Sequence, residues 1–149
     1  MTNESIIKPL TYQDRQEIQN LDDMSGNDVA QWFQEEDDYC EDYAYGLFLN
    51  NRLIGYCTIG GADDCPLMIA KHKLYSYNAL LLSDVYVLPE YRNKGFGLQL
   101  IIKAIQLKRE QENEPVFLTL LYDSLSNFYE KASFIWCNDS KSYAMIKPT

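Results

Sequence analysis

Apolar residues recur along this chain at two spacings, every second position and every third or fourth, and the switches between them mark the elements. Residues 6–10 predict a short strand, and Pro9 places it at a sheet edge because proline has no N–H to donate. From Tyr12 onward Ile18 and Leu21 recur at helical spacing behind Thr11, which can cap a helix. A first helix is therefore expected to about Met24, ended by Ser25-Gly26-Asn27. Asp28 can cap a second helix with Val29, Trp32 and Phe33 on one face. Residues 44–49 and 53–59 read as strands around the polar connection Asn50-Asn51-Arg52, an antiparallel hairpin in which Gly55 marks a bulge or a close-packed point. Residues 60–66 predict a loop, and residues 67–78 show no clear period.

Residues 79–88 are almost continuously apolar, as in a central strand covered on both faces. A helix is expected from Gly97 or Leu98 to about Glu112, with Gln99, Lys103, Gln106 and Glu110 as its one polar stripe and most of the remainder buried. Pro115 leads into a strand over residues 116–121, so strand, helix and strand make a right-handed crossover with the strands parallel or nearly so. Asp123 or Ser124 can cap a last helix over residues 125–132, and residues 134–136 and 142–147 close the chain as two antiparallel strands. The order is β-α-α-β-β-β-α-β-α-β-β. With 149 residues the chain fits one domain, 1–149, able to bury about two-thirds of its unfolded surface.

Charge narrows the partners. A net charge of −9 and a pI near 4.5 argue against nucleic acid, whose binding depends on phosphate neutralisation by Lys and Arg, and favour cationic partners. Six acids (Glu35, Glu36, Asp37, Asp38, Glu41 and Asp42) concentrate the negative field just after the second expected helix. The first residues are polar and no run approaches the ~18 apolar residues of a membrane span, so a cytoplasmic protein without membrane contact is expected. The four cysteines Cys40, Cys57, Cys65 and Cys137 form no CxxC pair and read as reduced and mostly buried. His72 is the only histidine and has no Cys or His at ligand spacing, so no metal is expected. A covalent acyl-enzyme is not expected either, because no cysteine has a histidine close in sequence.

The candidate chemistry lies where the apolar strand turns into the long helix. Gly95 and Gly97 flank Phe96 at that turn, where main-chain N–H groups and the positive end of the helix can face one point, with Arg92 and Lys94 adding charge. Such a place suits phosphates. The spacing fits neither a Walker A loop nor a GxGxxG dinucleotide turn. Arg92-Asn93-Lys94-Gly95-Phe96-Gly97 instead resembles the (Arg/Gln)-x-x-Gly-x-(Gly/Ala) pyrophosphate loop of the GNAT N-acetyltransferases, behind the equally typical Val87-Leu88-Pro89-Glu90-Tyr91. Phe128-Tyr129-Glu130-Lys131 resembles a second motif of that family, and the element order agrees along essentially the whole chain. The resemblance implies an α/β (α+β) acyl-CoA N-acyltransferase fold: a mixed, mostly antiparallel sheet of six to seven strands with about four helices.

It also implies roles. Val85, Tyr86 and Val87 would offer main-chain groups to the pantetheine and thioester of acetyl-CoA, and the residues Arg92, Asn93, Lys94, Gly95, Phe96, Gly97 and Leu98 would wrap its pyrophosphate. A backbone N–H at Val85 or Tyr86, left free where this family's strands splay, would stabilise the carbonyl oxygen. Tyr129 would protonate the departing thiolate, which suits a phenol of pKa ~10. The base must strip an ammonium of pKa ~10.4. Asp84 is the first choice, as the one charged residue within the apolar strand, with Glu41 or Asp42 acting through water as the alternative.

The run from Leu82 to Arg92 looks especially like the polyamine acetyltransferase branch, which has Glu-Asp where this chain has Ser83-Asp84. The family's usual Gly-Phe after the tyrosine helix is Ser133-Phe134, and the asparagine often found seven residues before the tyrosine is Tyr122. The leading expectation is direct acetyl transfer from acetyl-CoA to the primary amine of a cationic small molecule or polyamine-like acceptor. A coenzyme A-binding sensor without turnover, motivated by Ser83, and a protein N-terminal or lysine acetyltransferase are the alternatives. A homodimer is compatible with the resemblance.

Overall fold

In the computed structural model, residues 4–33, 43–61, 80–119, 125–136 and 144–149 are described below. They fall into two compact units, residues 1–58 with 84–104 and residues 59–83 with 105–149.

The first unit begins with β1 (Ser5–Pro9), an edge strand that pairs antiparallel with β2 (Ala44–Leu49), Ile7 opposite Leu47. Pro9 at its last position is tolerated because an edge strand has a side that needs no donor. A reciprocal cap follows: the Thr11 N–H and hydroxyl both donate to the Asp14 carboxylate, at 2.9 and 3.2 Å, and the Asp14 N–H donates back to the Thr11 carbonyl at 3.0 Å. This starts a 3-10 turn (Tyr12–Asp14) that leads into α1 (Arg15–Ser25), which buries Ile18, Leu21 and Asp22. The second expected helix is a correction. Among the described residues only a 3-10 turn, Ala30–Phe33, forms there, with Phe33 buried and Trp32 exposed. The Ala30 N–H is taken by Asp22, at 2.8 Å, rather than by Asp28.

The hairpin forms as expected. Asn50 and Asn51 both take positive φ, 52° and 68°, the conformation that lets a two-residue loop follow the twist of its strands. β3 (Arg52–Gly61) runs past Ile59, so Gly60 and Gly61 belong to the strand and not to the expected loop. Leu47 pairs with Gly55 but Phe48 with Leu53, leaving Ile54 as the extra residue of a bulge. The next strand in the order is β4 (Leu80–Val87), and the Ile54 carbonyl, freed by the bulge, accepts the Leu88 N–H at 2.9 Å.

In the second unit the strand order is β4, β5 (Val116–Thr119), β7 (Ala144–Lys147), β6 (Ile135–Trp136). β4 and β5 are parallel and the other pairs antiparallel, as the strand–helix–strand reading requires. Leu80, Leu82, Val116, Leu118, Phe134 and Met145 are buried here.

The crossover helix α2 (Phe96–Arg109) buries Leu100, Ile101, Ala104, Ile105 and Lys108. Ile102 is 39 % exposed, so the apolar face is narrower than the sequence suggested, and Lys108 lies on it by pairing with Glu112 at 2.9 Å. Arg109 fastens the chain's end: its guanidinium donates to the carbonyls of Glu114, Lys147 and Pro148. The short α3 (Ser126–Glu130) precedes β6, and with it the described residues hold three α-helices and a seven-stranded sheet.

Candidate functional site

β4 does not run straight. Asp84 has φ +54°, a left-handed conformation that costs an L-residue about 1–2 kcal/mol and that Asp tolerates better than most. The parallel ladder with β5 holds Leu80 opposite Val116 and Leu81 opposite Phe117, and among the described residues Leu118 and Thr119 pair only with β7. The ladder thus stops short of the kink at Asp84.

The carboxylate at the kink is held from β3. Thr58, fully buried, donates its hydroxyl to Asp84 Oδ2 at 2.9 Å, and among the described residues Oδ1 accepts no hydrogen bond. One residue earlier, burial pushes the Cys57 thiol well above its ordinary range, and the Asp84 charge adds to it. Cys57 is consequently a protonated, inert thiol, as the sequence suggested. Sequence reasoning missed Thr58. Its only signal was a hydroxyl in an otherwise apolar strand.

Beyond the kink β3 and β4 come unusually close. A Cβ on Gly55 would lie 2.8 Å from the Tyr86 carbonyl oxygen, so the pairing tolerates no side chain there. The Tyr86 ring stands 6.2 Å from that of Tyr56 and has the Arg92 guanidinium 5.2 Å over it. Arg92 Nε donates to the Val87 carbonyl at 2.8 Å, and its Nη atoms make no hydrogen bond among the described residues. Between Val87 and Arg92 the chain makes a 3-10 turn (Pro89–Tyr91), with Pro89 at its first position where the missing N–H costs nothing.

Asn93 and Gly95 then take φ +62° and +86°. Left-handed residues alternating with others gather successive N–H groups on the concave side of a loop, the arrangement that holds anions. A Cβ on Gly95 would have nothing within 4 Å, so the loop is open, and residues 92–95 are exposed. α2 starts at Phe96, one residue before the expected Gly97, and its first turn follows directly. The Lys94 ammonium lies 6.0 Å over the Tyr91 ring, whose edge contacts Phe96. The loop fits a diphosphate: open space, unpaired guanidinium nitrogens, a helix N-terminus and two cations.

Asp84, Val85, Tyr86, Val87 and residues 92–98 thus belong to one unit, and Tyr129 belongs to the other. Tyr129 lies in α3, half-buried, with its ring edge-on to Phe128 and to the buried Phe134 at 5.0 and 5.8 Å. The helix ends in a left-handed residue: Ser133 has φ +71°, and the Phe134 N–H returns to the Tyr129 carbonyl at 3.1 Å. A position of that kind explains why glycine is usual there. The acidic residues from Glu35 to Asp42, with the alternative bases Glu41 and Asp42, fall outside the described residues, as do His72, Tyr122, Cys40, Cys65 and Cys137. A cleft of ≈ 290 Å³ opens beside α1, with Glu17, Met24 and Arg52 on its walls, but none of the nominated residues lines it. No metal-binding group occurs among the described residues.

Comparison with known proteins bears on the family and the fold. Residues 11–134 match the family model described as Acetyltransferase (GNAT) family. No match was found among curated proteins. Among solved structures the chain is similar to PaiA N-acetyltransferase from Thermoplasma acidophilum in complex with coenzyme A, at TM-score 0.65 and 17% identity over 98% of this chain and 99% of that one. It is similar to diaminobutyrate acetyltransferase EctA from Paenibacillus lautus, in complex with L-2,4-diaminobutyric acid and coenzyme A, at TM-score 0.68 and 12% identity over 99% and 96%. It is also similar to ribosomal-protein-alanine N-acetyltransferase from Brucella melitensis, at TM-score 0.69 and 16% identity over 97% and 99%. With the family model spanning residues 11–134, the chain belongs to the acetyltransferase (GNAT) family and is an acetyl-CoA-dependent N-acetyltransferase.

Proposed function

We propose that this enzyme acetylates the primary amine of a cationic small molecule, a diamine or polyamine, by direct attack of the amine on the thioester. The observation that carries the cofactor half of this reading is the open loop from Arg92 to Leu98, with left-handed Asn93 and Gly95 ahead of α2. In this reading the loop amides and the free Arg92 nitrogens hold the pyrophosphate, and Val85 to Val87 align the pantetheine arm along β4. Bound acetyl-CoA supplies the activated acetyl group. Asp84, steadied by Thr58 on one oxygen and open on the other, takes a proton from the ammonium, directly or through a water. A main-chain N–H at Val85 or Tyr86 stabilises the oxyanion. Tyr129 gives a proton to the departing thiolate; the ammonium loses two protons in becoming an amide, the first to Asp84 and the second from the nitrogen after attack, the thiolate takes up one, and one is released to solvent.

The acceptor class rests on charge. A chain at −9 attracts cations, and the likeness of its Leu82–Arg92 run to the polyamine branch points the same way. A cytoplasmic, single-domain enzyme, with a homodimer as the assembly the family resemblance allows, completes the reading. Steady-state kinetics with a panel of mono-, di- and polyamines, beside peptides with free N-termini or lysines, tests it. Intersecting double-reciprocal patterns with a polyamine preference are expected, and Asp84→Asn and Tyr129→Phe should each lower kcat by about 10²-fold, the lower end for general acid–base groups. Ping-pong kinetics would exclude direct transfer, and turnover confined to the peptides would move the acceptor to a protein.

A further inference from the structure

The polar group buried at the end of α1 has no part in the chemistry above. Asp22 is 5 % exposed, yet its carboxylate is fully engaged: Oδ1 accepts the Tyr56 hydroxyl at 2.5 Å and Oδ2 accepts the Ala30 N–H at 2.8 Å. Ser25 Oγ lies 3.0 Å from the same hydroxyl and accepts the Asn27 N–H at 3.1 Å. A buried carboxylate and phenol are expensive to place and worthwhile only if satisfied. Their arrangement fixes one thing above all, the direction of the Tyr56 ring.

That ring leads to the cofactor loop. Tyr56 is fully buried on β3 and contacts Tyr86 on β4; Tyr86 carries Arg92 on its ring, and Arg92 is tied back to the Val87 carbonyl. On the same strand, two residues on, Thr58 holds Asp84. We propose that Tyr56, oriented by Asp22, is a positioning residue for acetyl-CoA: through the Tyr86 ring it sets the Arg92 guanidinium and the β4 backbone between Asp84 and Val87. The inference rests on the reading of residues 85–98 as the acetyl-CoA site. Tyr56 is argued to act through Tyr86 and Arg92, not on cosubstrate or amine.

The test uses the full chain and three variants. Tyr56→Phe keeps the ring and frees it from its anchor. It should raise KM for acetyl-CoA, and the coenzyme A dissociation constant by calorimetry, roughly two- to tenfold, the range an aromatic pairing is worth, while KM for the amine stays unchanged. Asp22→Asn should restore both values to within about twofold, because its oxygen can accept the Ala30 N–H while its amide donates to the Tyr56 oxygen and the hydroxyl turns to Ser25. A fall in kcat alone, with both KM values as in the unaltered protein, marks Tyr56 as merely structural and overturns the proposal, as does a Tyr56→Phe enzyme with unaltered kinetics. Gly95→Val separates this from the underlying reading: if it binds coenzyme A as well as the unaltered protein, the loop is not the site and both fall, whereas loss of binding there with a silent Tyr56→Phe sinks only the positioning role.

Discussion

Among the described residues five other than glycine take positive φ: Asn50, Asn51, Asp84, Asn93 and Ser133. Three are asparagines in turns, where their short side chain tolerates the conformation. Asp84 is the proposed base, and Ser133 follows the helix that carries Tyr129. Ser133 is exposed and ends the tyrosine helix, so nothing but backbone strain distinguishes it from the usual glycine. Ser133→Gly should stabilise the protein by about 1 kcal/mol, with the urea midpoint raised and the slope unchanged. An unchanged midpoint would show that the serine hydroxyl recovers the cost through a local hydrogen bond. The open turn at Gly95 was legible in the sequence, because two glycines flanking Phe96 between an apolar strand and a helix mark a tight change of direction. The turn at Asp84 was not. An acid in an apolar strand signals an exception of some kind, and the dihedral that resolves it depends on Thr58, 26 positions away.

At the level of elements, strands and the long crossover helix were readable from apolar spacing, while the short pieces were not. Residues 30–33 had the composition of a helix, but a 3-10 turn forms because the buried Asp22 takes the Ala30 N–H, a tertiary contact that outweighs local preference. Gly55 was foreseen as either a bulge or a close-packed point; it is the close-packed point, against the Tyr86 carbonyl, and the extra residue of the bulge is its neighbour Ile54. Gly55→Ala should therefore destabilise the fold by about 1–3 kcal/mol, since the atom it meets is backbone and must move. KM for acetyl-CoA should rise with it, because the strand that moves is β4. The link between β3 and α1 makes a separate prediction about pH. Burial, then the hydrogen bond to Asp22, raises the Tyr56 phenol far above its ordinary range, so the fold favours the neutral form. Its contribution is complete below pH about 10, the unfolded value, and is lost as pH climbs above that toward the folded value. Alkaline titration followed by phenolate absorbance should leave at least one of the twelve tyrosines neutral until the protein unfolds, and Tyr56→Phe should flatten the loss of stability above pH about 10. Ionisation of all twelve before unfolding would contradict this.

For the whole molecule the governing quantity is charge: 13 basic against 22 acidic residues gives −9, and in the proposed reaction the two cosubstrates meet it with opposite signs. On the proposed reading a polyamine would be drawn by the long-range field, whereas acetyl-CoA, itself an anion, would be repelled at a distance and held close by Arg92 and Lys94. Salt distinguishes these cases because it removes the distant interactions first, the screening length falling from about 30 Å at 0.01 M to about 10 Å at 0.1 M. Raising ionic strength from about 0.02 to 0.5 M should lower kcat/KM for a triamine by roughly tenfold and for a monoamine by roughly two- to threefold, the steering expected of a field shared over many charges. KM for acetyl-CoA should change by less than about twofold, since weaker repulsion offsets weaker attraction at the loop. Lys94→Gln removes one side of that balance and should make acetyl-CoA binding improve with salt. If triamine and monoamine respond alike, the acidic surplus serves solubility, and the acceptor is chosen by contacts alone.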